Sequence, residues 1–190
     1  MLSIGLMSGT SMDGIDAALL ETDGSPNTIK DLGHLFLPYQ SSFQISLKAA
    51  EYAVYQSAGD IPNAQKHHLP ESFEQIIEQS TRLHEIAIKK LLEQTGYTAD
   101  QIEVVGYHGQ TLYHNPSEKI SIIIGDSQAL ANQTGIKVVN DFRSNDIAFG
   151  GQGAPLAPLY HHALAIRDQK IPIAIVNCGG IANVTLIQSE

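Results

Sequence analysis

The chain has 190 residues, of which 43% are hydrophobic and 16% are charged, and its 20 acidic and 11 basic residues give a formal net charge of −9. This composition predicts a globular protein and excludes a disordered or fibrous one, and the length suffices for one ordinary domain or for one lobe of a larger protein. The acidic balance argues against a nucleic-acid partner, so an anionic ligand would have to be held by local backbone N–H groups or by a metal ion.

The N-terminal stretch has the composition of a strand and not of a targeting segment. No lysine or arginine precedes Lys30, and Asp13 and Asp16 interrupt the apolar residues, so neither a signal peptide nor a membrane span is expected here. The single cysteine, Cys178, cannot form an internal disulfide and has no basic neighbour in sequence, so we interpret it as a small buried residue. A cytoplasmic location is the resulting expectation.

The first forty residues are predicted to form an antiparallel meander of three strands, Leu2 to Leu6, Ile15 to Leu20 and Ile29 to Leu37. The first two strands are joined by Met7-Ser8-Gly9-Thr10-Ser11-Met12-Asp13-Gly14. Its glycines let successive backbone amides point at one spot, and its hydroxyls add donors without bulk, a combination that suits a phosphate. Asp13 can hold Mg²⁺ through water, because this ion keeps much of its hydration shell.

Two other interpretations of this loop stay open. It can be an ordinary hairpin connection of greater length. The segment Gly9-Thr10-Ser11-Met12 also resembles the nucleophile segment of subtilisin-like proteases, which would make Ser11 a nucleophile. That alternative needs histidine and aspartate partners, usually upstream, and a small residue where this chain has Asp13.

The next segments have helical periodicity and are predicted to be scaffold. Helices are expected from Phe43 to Tyr55 and from Glu71 to Thr95, the second ended by Gly96. The segment between them, Gln56 to Pro70, is predicted to be an exposed connection. Its two adjacent histidines have the wrong spacing for a metal site on one helix face.

A short strand, Val104 to Tyr107, is predicted to run into a polar tip, His108-Gly109-Gln110-Thr111. Amides and imidazoles match the donors and acceptors of sugar hydroxyls, so this tip is a candidate sugar-binding segment. The alternative is a turn with a satisfied histidine.

The following segment is predicted to bring two carboxylates together. Ile120 to Ile124 is interpreted as a buried central strand, Ser127 as the cap of a helix, and Ile136 to Val139 as the next strand. Strand, helix and strand in this order predict a parallel crossover. That connection would place Asp126 and Asp141 at the same edge of the sheet.

The most informative stretch runs from Val138 to Pro155, where a short strand is followed by Asp141, Arg143, Asp146 and three glycines. Open α/β sheets place their chemistry at the carboxyl ends of strands, and glycines permit close backbone approach to a ligand. Asp141 is therefore the first candidate for a catalytic base. Alternatively, Asp141 caps a turn while Arg143 pairs with Asp146 in solvent.

The last part of the chain is predicted to repeat the N-terminal plan of strand, glycine turn and strand. A helix is expected from Ala154 to Asp168, begun by Pro155, and strands are expected from Ile171 to Val176 and from Ile181 to Ile187. Glycine hairpins at both ends of the chain are what a two-lobed clamp on nucleotide phosphates requires.

Taken in order, these motifs resemble the anhydro-N-acetylmuramic acid kinases, a family of the actin-like and sugar-kinase ATPase superfamily. The resemblance covers nearly the whole chain and rests on Gly5 to Asp16, His108 to Thr111, Gly125-Asp126, Asp141-Phe142-Arg143, Asp146, Gly150 to Leu156 and Asn177 to Asn183. It implies an α/β fold, a ribonuclease H-like actin-type ATPase lobe whose mixed sheet of antiparallel hairpin strands and parallel crossovers is flanked by helices. Residues 1–168 would form this N-terminal lobe, and residues 169–190 would begin a second, truncated lobe.

The resemblance also implies a reaction. Such an enzyme opens the 1,6-anhydro ring of 1,6-anhydro-N-acetylmuramic acid with water and phosphorylates the freed O6 from ATP, in peptidoglycan recycling. Asp141 would be the general base, and an arginine two residues later would favour its ionised form. The implied nucleotide-binding residues are Gly9, Thr10, Ser11, Met12, Asp13, Gly14, Ile15 and Asp16, and the implied sugar or surrounding contacts are His108, Gln110, Asp126 and Arg143.

The expected cofactors are ATP and Mg²⁺, and a homodimer is the expected assembly. Because the family carries a second lobe with the adenine pocket, the isolated chain is expected to bind nucleotide weakly and to turn over slowly or not at all. A non-catalytic sugar- or nucleotide-binding module is the alternative function.

Overall fold

The computed structural model describes residues 1–178 and 182–189. Its strands are β1 (Leu2–Ser8), β2 (Gly14–Thr22), β3 (Ile29–Pro38), β4 (Val104–Asn115), β5 (Ile120–Ile124), β6 (Val138–Val139), β7 (Ile173–Cys178) and β8 (Ala182–Ile187). Its α-helices are α1 (Ser41–Gln56), α2 (Ile61–Ala64), α3 (Phe73–Thr95), α4 (Ser127–Thr134), α5 (Ser144–Ala148) and α6 (Ala157–Arg167), and short 3₁₀ turns occupy Ala99–Gln101 and Pro116–Glu118.

The main sheet is mixed, with the order β3-β2-β1-β4-β5 and with β6 also paired to β4. The pairs β1–β2 and β2–β3 are antiparallel, which confirms the predicted meander. The pairs β1–β4 and β4–β6 are parallel, with Ser3 opposite Val104 and Val105 opposite Val138. The predicted α/β fold with a mixed sheet flanked by helices is therefore confirmed, and three parallel strands end at one edge of the sheet.

The path of β4 and β5 differs from the prediction. β4 continues through residues 108–111, so the polar segment lies inside a strand and not at a tip after it. The turn at Pro116–Glu118 reverses the chain, and β5 therefore pairs antiparallel with the second half of β4, Ile124 lying opposite Gln110. β5 is thus an edge strand, and the predicted central strand and the parallel crossover from β5 to β6 are both wrong.

The two long helices cover one face of the sheet, α1 against β4 and α3 against β2 and β3. α3 begins at a capping box in which Ser72 and Gln75 satisfy each other's backbone N–H groups, and it ends at Gly96 with a positive φ, as predicted. Their buried apolar residues meet those of the strands in one core that includes Phe43, Leu47, Ile76, Ile88, Leu91, Ile4, Leu6, Ile15 and Leu19.

Two predicted helix starts are corrected. Asp126, and not Ser127, caps α4, because its Oδ1 accepts the Ala129 N–H at 2.8 Å. α6 begins at Ala157 with Pro158 in its first turn, so Pro155 lies outside the helix.

The C-terminal strands β7 and β8 form an antiparallel ladder separate from the main sheet. Cys178 is exposed at the end of β7, so its predicted burial is wrong, since much of this two-stranded ladder is open to solvent. Gly179, Gly180 and Ile181 of the predicted second glycine turn lie outside the described residues. Over residues 1–178 and 182–189, none of the helices combines the length and apolarity that a membrane crossing demands.

His84 is a fully buried titratable residue on α3, packed edge-on against the ring of Tyr107. The pKa of His84 is lowered from 6.5 to about 4, mainly by burial and also by nearby His108, against the opposing effect of the Ser80 carbonyl. The unfolded chain therefore binds a proton on this residue at a higher pH than the folded chain does. The contribution of His84 to the free energy of unfolding is therefore fully present above the pKa of the unfolded chain. It is lost as the pH falls from the pKa of the unfolded chain to that of the folded chain.

We expect His84→Gln to remove this part of the pH dependence, which is about 2 kcal/mol of unfolding free energy between pH 7 and pH 5. Urea unfolding at the two pH values measures it, with exposed His67→Gln as the control. A His84→Gln variant with the same pH slope as the parent protein would contradict the buried, neutral state.

Candidate functional site

A cleft of about 290 Å³ opens where strand ends converge. β6 ends at Val139, opposite Gly106 of β4, and β5 ends opposite Gln110 of the same strand. The residues that follow β5 and β6 therefore meet over the middle of β4. Its polar and glycine lining includes His108, Gly109, Gly125, Asn140, Asp141 and Ser144.

Asp141 follows β6 in a left-handed backbone conformation with φ of 56°. Such conformations cost energy and cluster at functional sites, although aspartate tolerates them better than most residues. Its Oδ1 accepts hydrogen bonds from the Ser144 backbone N–H at 3.3 Å and from the Ser144 hydroxyl at 2.5 Å. The turn-capping alternative therefore holds for Oδ1, whereas Oδ2 accepts no hydrogen bond from the residues that the structure describes.

Arg143 does not form either of its predicted ion pairs. Its Nη1 donates to the Gly153 carbonyl at 2.6 Å, and its Nη2 donates to His108 Nε2 at 2.8 Å. Asp146 Oδ2 instead accepts the Gly153 N–H at 2.7 Å. Arg143 and Asp146 thus hold the glycine-rich segment after α5 from two sides, and neither the contact with Asp141 nor the pair between Arg143 and Asp146 is found.

His108 has both ring nitrogens engaged within the protein. Because a guanidinium can only donate, His108 Nε2 accepts from Arg143, so Nδ1 carries the proton and donates to the Gly109 carbonyl at 2.8 Å. Burial lowers the pKa of His108, and the Arg143 charge lowers it further. In this geometry His108 lines the cleft and orients Arg143 without a free nitrogen for a sugar hydroxyl.

The other two predicted sugar contacts, Gln110 and Asp126, differ in their exposure to solvent. Gln110 is fully buried and donates from Nε2 to the Gly9 carbonyl at 2.9 Å, away from the cleft. Asp126 is exposed next to Gly125, with one oxygen used to cap α4. The structure thus brings Asp141 and His108 to one cleft and Arg143 against His108, while Gln110 lies behind the N-terminal loop.

The loop between β1 and β2 presents three exposed polar side chains, Thr10, Ser11 and Asp13. The side chains of Met12 and Ile15 are buried in the core, so those residues can meet a ligand only through their backbone. The Ser11 hydroxyl donates to Asp13 Oδ1 at 2.5 Å. Among the residues that the structure describes, no histidine bonds to Ser11, so the protease alternative lacks its base.

Asp16 lies on β2, with its side chain on the face of the sheet opposite the core. Partial burial raises the pKa of Asp16, the negative charge of Asp13 raises it further, and His34 opposes the shift. Asp16 lines a different groove from the one that holds Asp141.

Comparison with known sequences identifies the family to which the chain belongs. Residues 1–190 match the sequence profile of the anhydro-N-acetylmuramic acid kinases. The chain belongs to this family. It is 43% identical over 190 residues to the anhydro-N-acetylmuramic acid kinase of Rhizobium etli, covering 99% of this chain and 50% of that relative.

Two further relatives carry the same name. Identity is 43% over 191 residues with the protein of Brucella suis, covering 99% of this chain and 49% of the relative, and 43% over 186 residues with that of Rhizorhabdus wittichii, covering 97% and 48%. The chain spans about half the length of the curated relatives it matches.

The loop residues fit the nucleotide and magnesium ion that kinases use. Exposed hydroxyls and amides suit phosphate oxygens, and the Asp13 carboxylate has one oxygen bonded to Ser11 and a second available to a hydrated ion. Across residues 1–178 and 182–189, no group of three or more histidine, cysteine or acidic residues could hold a metal directly. A water-mediated contact through Asp13 is the arrangement that these donors allow.

Sequence reasoning missed two residues of the site. Ser144 holds Asp141, and its position three residues later is a known spacing for local side-chain capping, so this contact could have been found. Gln44 donates from Nε2 to the Met12 carbonyl at 3.1 Å. All of β2 and β3 lies between it and the loop in the sequence, so no local pattern signals the contact.

Proposed function

We propose that this chain is the base-carrying and phosphate-binding part of an ATP-dependent kinase that opens 1,6-anhydro-N-acetylmuramic acid and phosphorylates its O6. The observation that carries the proposal is Asp141, anchored by Ser144 through one oxygen at a glycine-lined cleft. The names and the 43% identity of the relatives support the substrate and the reaction.

In the proposed reaction Asp141 accepts a proton from a water molecule in the cleft. The water oxygen forms a bond to the anomeric carbon of the sugar as the bond between that carbon and O6 breaks. The freed O6 then bonds to the γ-phosphorus of ATP as the bond between that phosphorus and the bridging oxygen breaks, and ADP leaves. Ser144 donates two hydrogen bonds to Oδ1 of Asp141, which fixes the carboxylate more firmly than a single hydrogen bond would. The orientation of the second oxygen, Oδ2, is thereby fixed as well.

The glycine loop, residues 9–13, is the proposed site for the nucleotide phosphates. When bound, ATP supplies the phosphoryl group and Mg²⁺ neutralises part of its charge. The loop's role is to bind and orient, through Thr10 and Ser11 hydroxyls and backbone amides. Asp13 would hold the hydrated ion.

The proposal includes the organisation of the longer protein. Residues 1–168 would be the N-terminal lobe and residues 169–190 the start of a second lobe, which agrees with the separate ladder formed by β7 and β8. A homodimer and a cytoplasmic location, where ATP is available, belong to the same proposal.

We expect the isolated chain to make little or no product, because residues 1–190 correspond to only about half of the length of the relatives that carry the kinase name. The chain is incubated with 1,6-anhydro-N-acetylmuramic acid, ATP and Mg²⁺, and the 6-phosphate is followed by mass spectrometry. Addition of the second half of the Rhizobium etli relative, as a fusion, serves as the positive control. Rapid phosphorylation by the isolated chain would refute the expectation.

A second candidate is a sugar- or nucleotide-binding module without catalysis, because polar side chains that line the cleft, such as Asn140, can bind hydroxyl groups without transferring a proton. Such a module would bind the sugar but gain no activity in the fusion, and Asp141→Asn would leave its binding unchanged. The same assay, with sugar binding measured by calorimetry, separates the two functions.

A further inference from the structure

Two glutamine side chains from distant elements hold the two ends of the glycine loop. Gln110 of β4 donates from Nε2 to the Gly9 carbonyl at 2.9 Å, and Gln44 of α1 donates from Nε2 to the Met12 carbonyl at 3.1 Å. Gln110 is fully buried and Gln44 is half-buried. The Gly9 and Met12 carbonyls are thus bound to the body of the protein by side-chain amides, whereas the Asp13 carbonyl accepts the Tyr39 backbone N–H at 2.9 Å.

Because a peptide unit is planar, each of these two contacts also fixes the direction of the N–H group in the same peptide. Cis peptide bonds in the described residues precede Pro155 and Pro172, so the loop peptides are trans. In a trans peptide the C=O and the following N–H point in opposite directions. A Gly9 carbonyl directed at Gln110 therefore turns the Thr10 N–H away from Gln110, and a Met12 carbonyl directed at Gln44 turns the Asp13 N–H away from Gln44.

We propose that Gln44 and Gln110 are positioning residues that turn the Thr10 and Asp13 amides outward, toward the anionic oxygens of a phosphate-bearing ligand. This inference rests on the proposed function, because it assigns the ligand of the loop to the nucleotide class. Backbone N–H groups that are already fixed bind an anion more tightly than mobile N–H groups do, because no conformational entropy is lost in ordering them when the anion binds.

The burial of Gln110 argues against a purely stabilising role for its side chain. Its Oε1 is buried with no hydrogen-bond partner among the described residues, and a buried acceptor without a partner destabilises the fold. Ser8 reinforces the same junction, because its hydroxyl donates to the Gly109 carbonyl at 2.9 Å. β1 and β4 thus exchange two side-chain-to-backbone bonds at the point where their register shifts.

The test uses Gln44→Met and Gln110→Met, which keep the side-chain length and remove the amide. The control is Gln128→Met on α4, where an exposed glutamine donates to Asn132. Amide hydrogen exchange of Met12, whose N–H donates to the Gly9 carbonyl at 3.1 Å, is measured by NMR on the ligand-free chain. Urea unfolding and exchange at α3 amides are measured in parallel.

We expect Met12 exchange about tenfold faster in both loop variants and unchanged in the control, with α3 protection retained. The urea midpoint of Gln110→Met should not fall, since the unpaired Oε1 is removed together with the amide. A merely structural role predicts a fall in midpoint and faster exchange throughout, and that result would overturn the proposal. Unchanged Met12 exchange in both variants would overturn it too.

ATP with Mg²⁺ is then titrated into each protein, now fused to the second half of the Rhizobium etli relative, and followed by amide shifts of residues 9–13. Weaker ATP binding by about tenfold in both loop variants, and not in Gln128→Met, supports the proposal. ATP binding that is equal in all four proteins overturns it and leaves the kinase proposal standing. The absence of any ATP-dependent shift of residues 9–13 in the parent fusion would overturn both the kinase proposal and the proposed phosphate contact of the loop.

Discussion

Replacing Asp141 by asparagine is expected to lower the rate of ring opening and phosphorylation by about 10²–10⁴-fold, the usual contribution of a general base. Asparagine keeps the shape of the side chain and can still accept a hydrogen bond from Ser144, so the fold should be retained. It cannot accept a proton from water at neutral pH. The rate is measured by mass spectrometry on this chain fused to the second half of the Rhizobium etli relative.

The matched control is Asp100→Asn, an exposed acidic residue in the 3₁₀ turn that precedes β4. It changes the net charge by the same amount but lies outside the lining of the cleft, so its rate should equal that of the parent fusion. Ser144→Ala should give an intermediate loss, because it frees the Asp141 carboxylate without removing it. Equal rates for Asp141→Asn and the parent fusion would exclude Asp141 as the base.

Gly125→Ala is expected to destabilise the fold by about 3 kcal/mol, one of the larger effects of a single substitution. The backbone at Gly125 has φ of 141°, and an added Cβ would clash with the Tyr107 hydroxyl oxygen. Tyr107 is buried and packed against His84, so it cannot move aside cheaply. Urea unfolding measures the loss.

Gly135→Ala serves as a control that measures the cost of a positive φ without a steric clash. Gly135 also has a positive φ, 72°, but no atom lies within 4 Å of its added Cβ, so its loss should be about 1 kcal/mol. Tyr107→Phe should recover part of the loss in Gly125→Ala, since it removes the closest atom. A Gly125→Ala variant as stable as Gly135→Ala would show that Tyr107 does not require a glycine at this position.

Local sequence patterns were sufficient for the elements whose signals lie within a few residues. The meander of β1, β2 and β3, the helix α3 from its capping serine to Gly96, and the placement of Asp141 directly after β6 follow from periodicity, capping and turn chemistry. The glycine loop was identifiable because its composition departs from that of both flanking strands.

Tertiary pairing decided the rest. Whether residues 108–111 end a strand or continue one depends on where β5 and β1 offer hydrogen-bond partners, and the edge position of β5 depends on the hairpin at Pro116–Glu118. The partners of Arg143 were likewise undecided by sequence, because a long side chain reaches groups such as His108 that lie on another strand.

By itself, the sequence determined the fold class, the family and the candidate base, because these depend on residue type and local spacing. Only the tertiary structure decided that Ser144 binds one oxygen of Asp141, that His108 is engaged on both nitrogens, and that Gln44 and Gln110 hold the glycine loop. Such contacts join residues far apart in the chain, and hydrogen-bond donors and acceptors acquire a partner only when folding has fixed the distance between them.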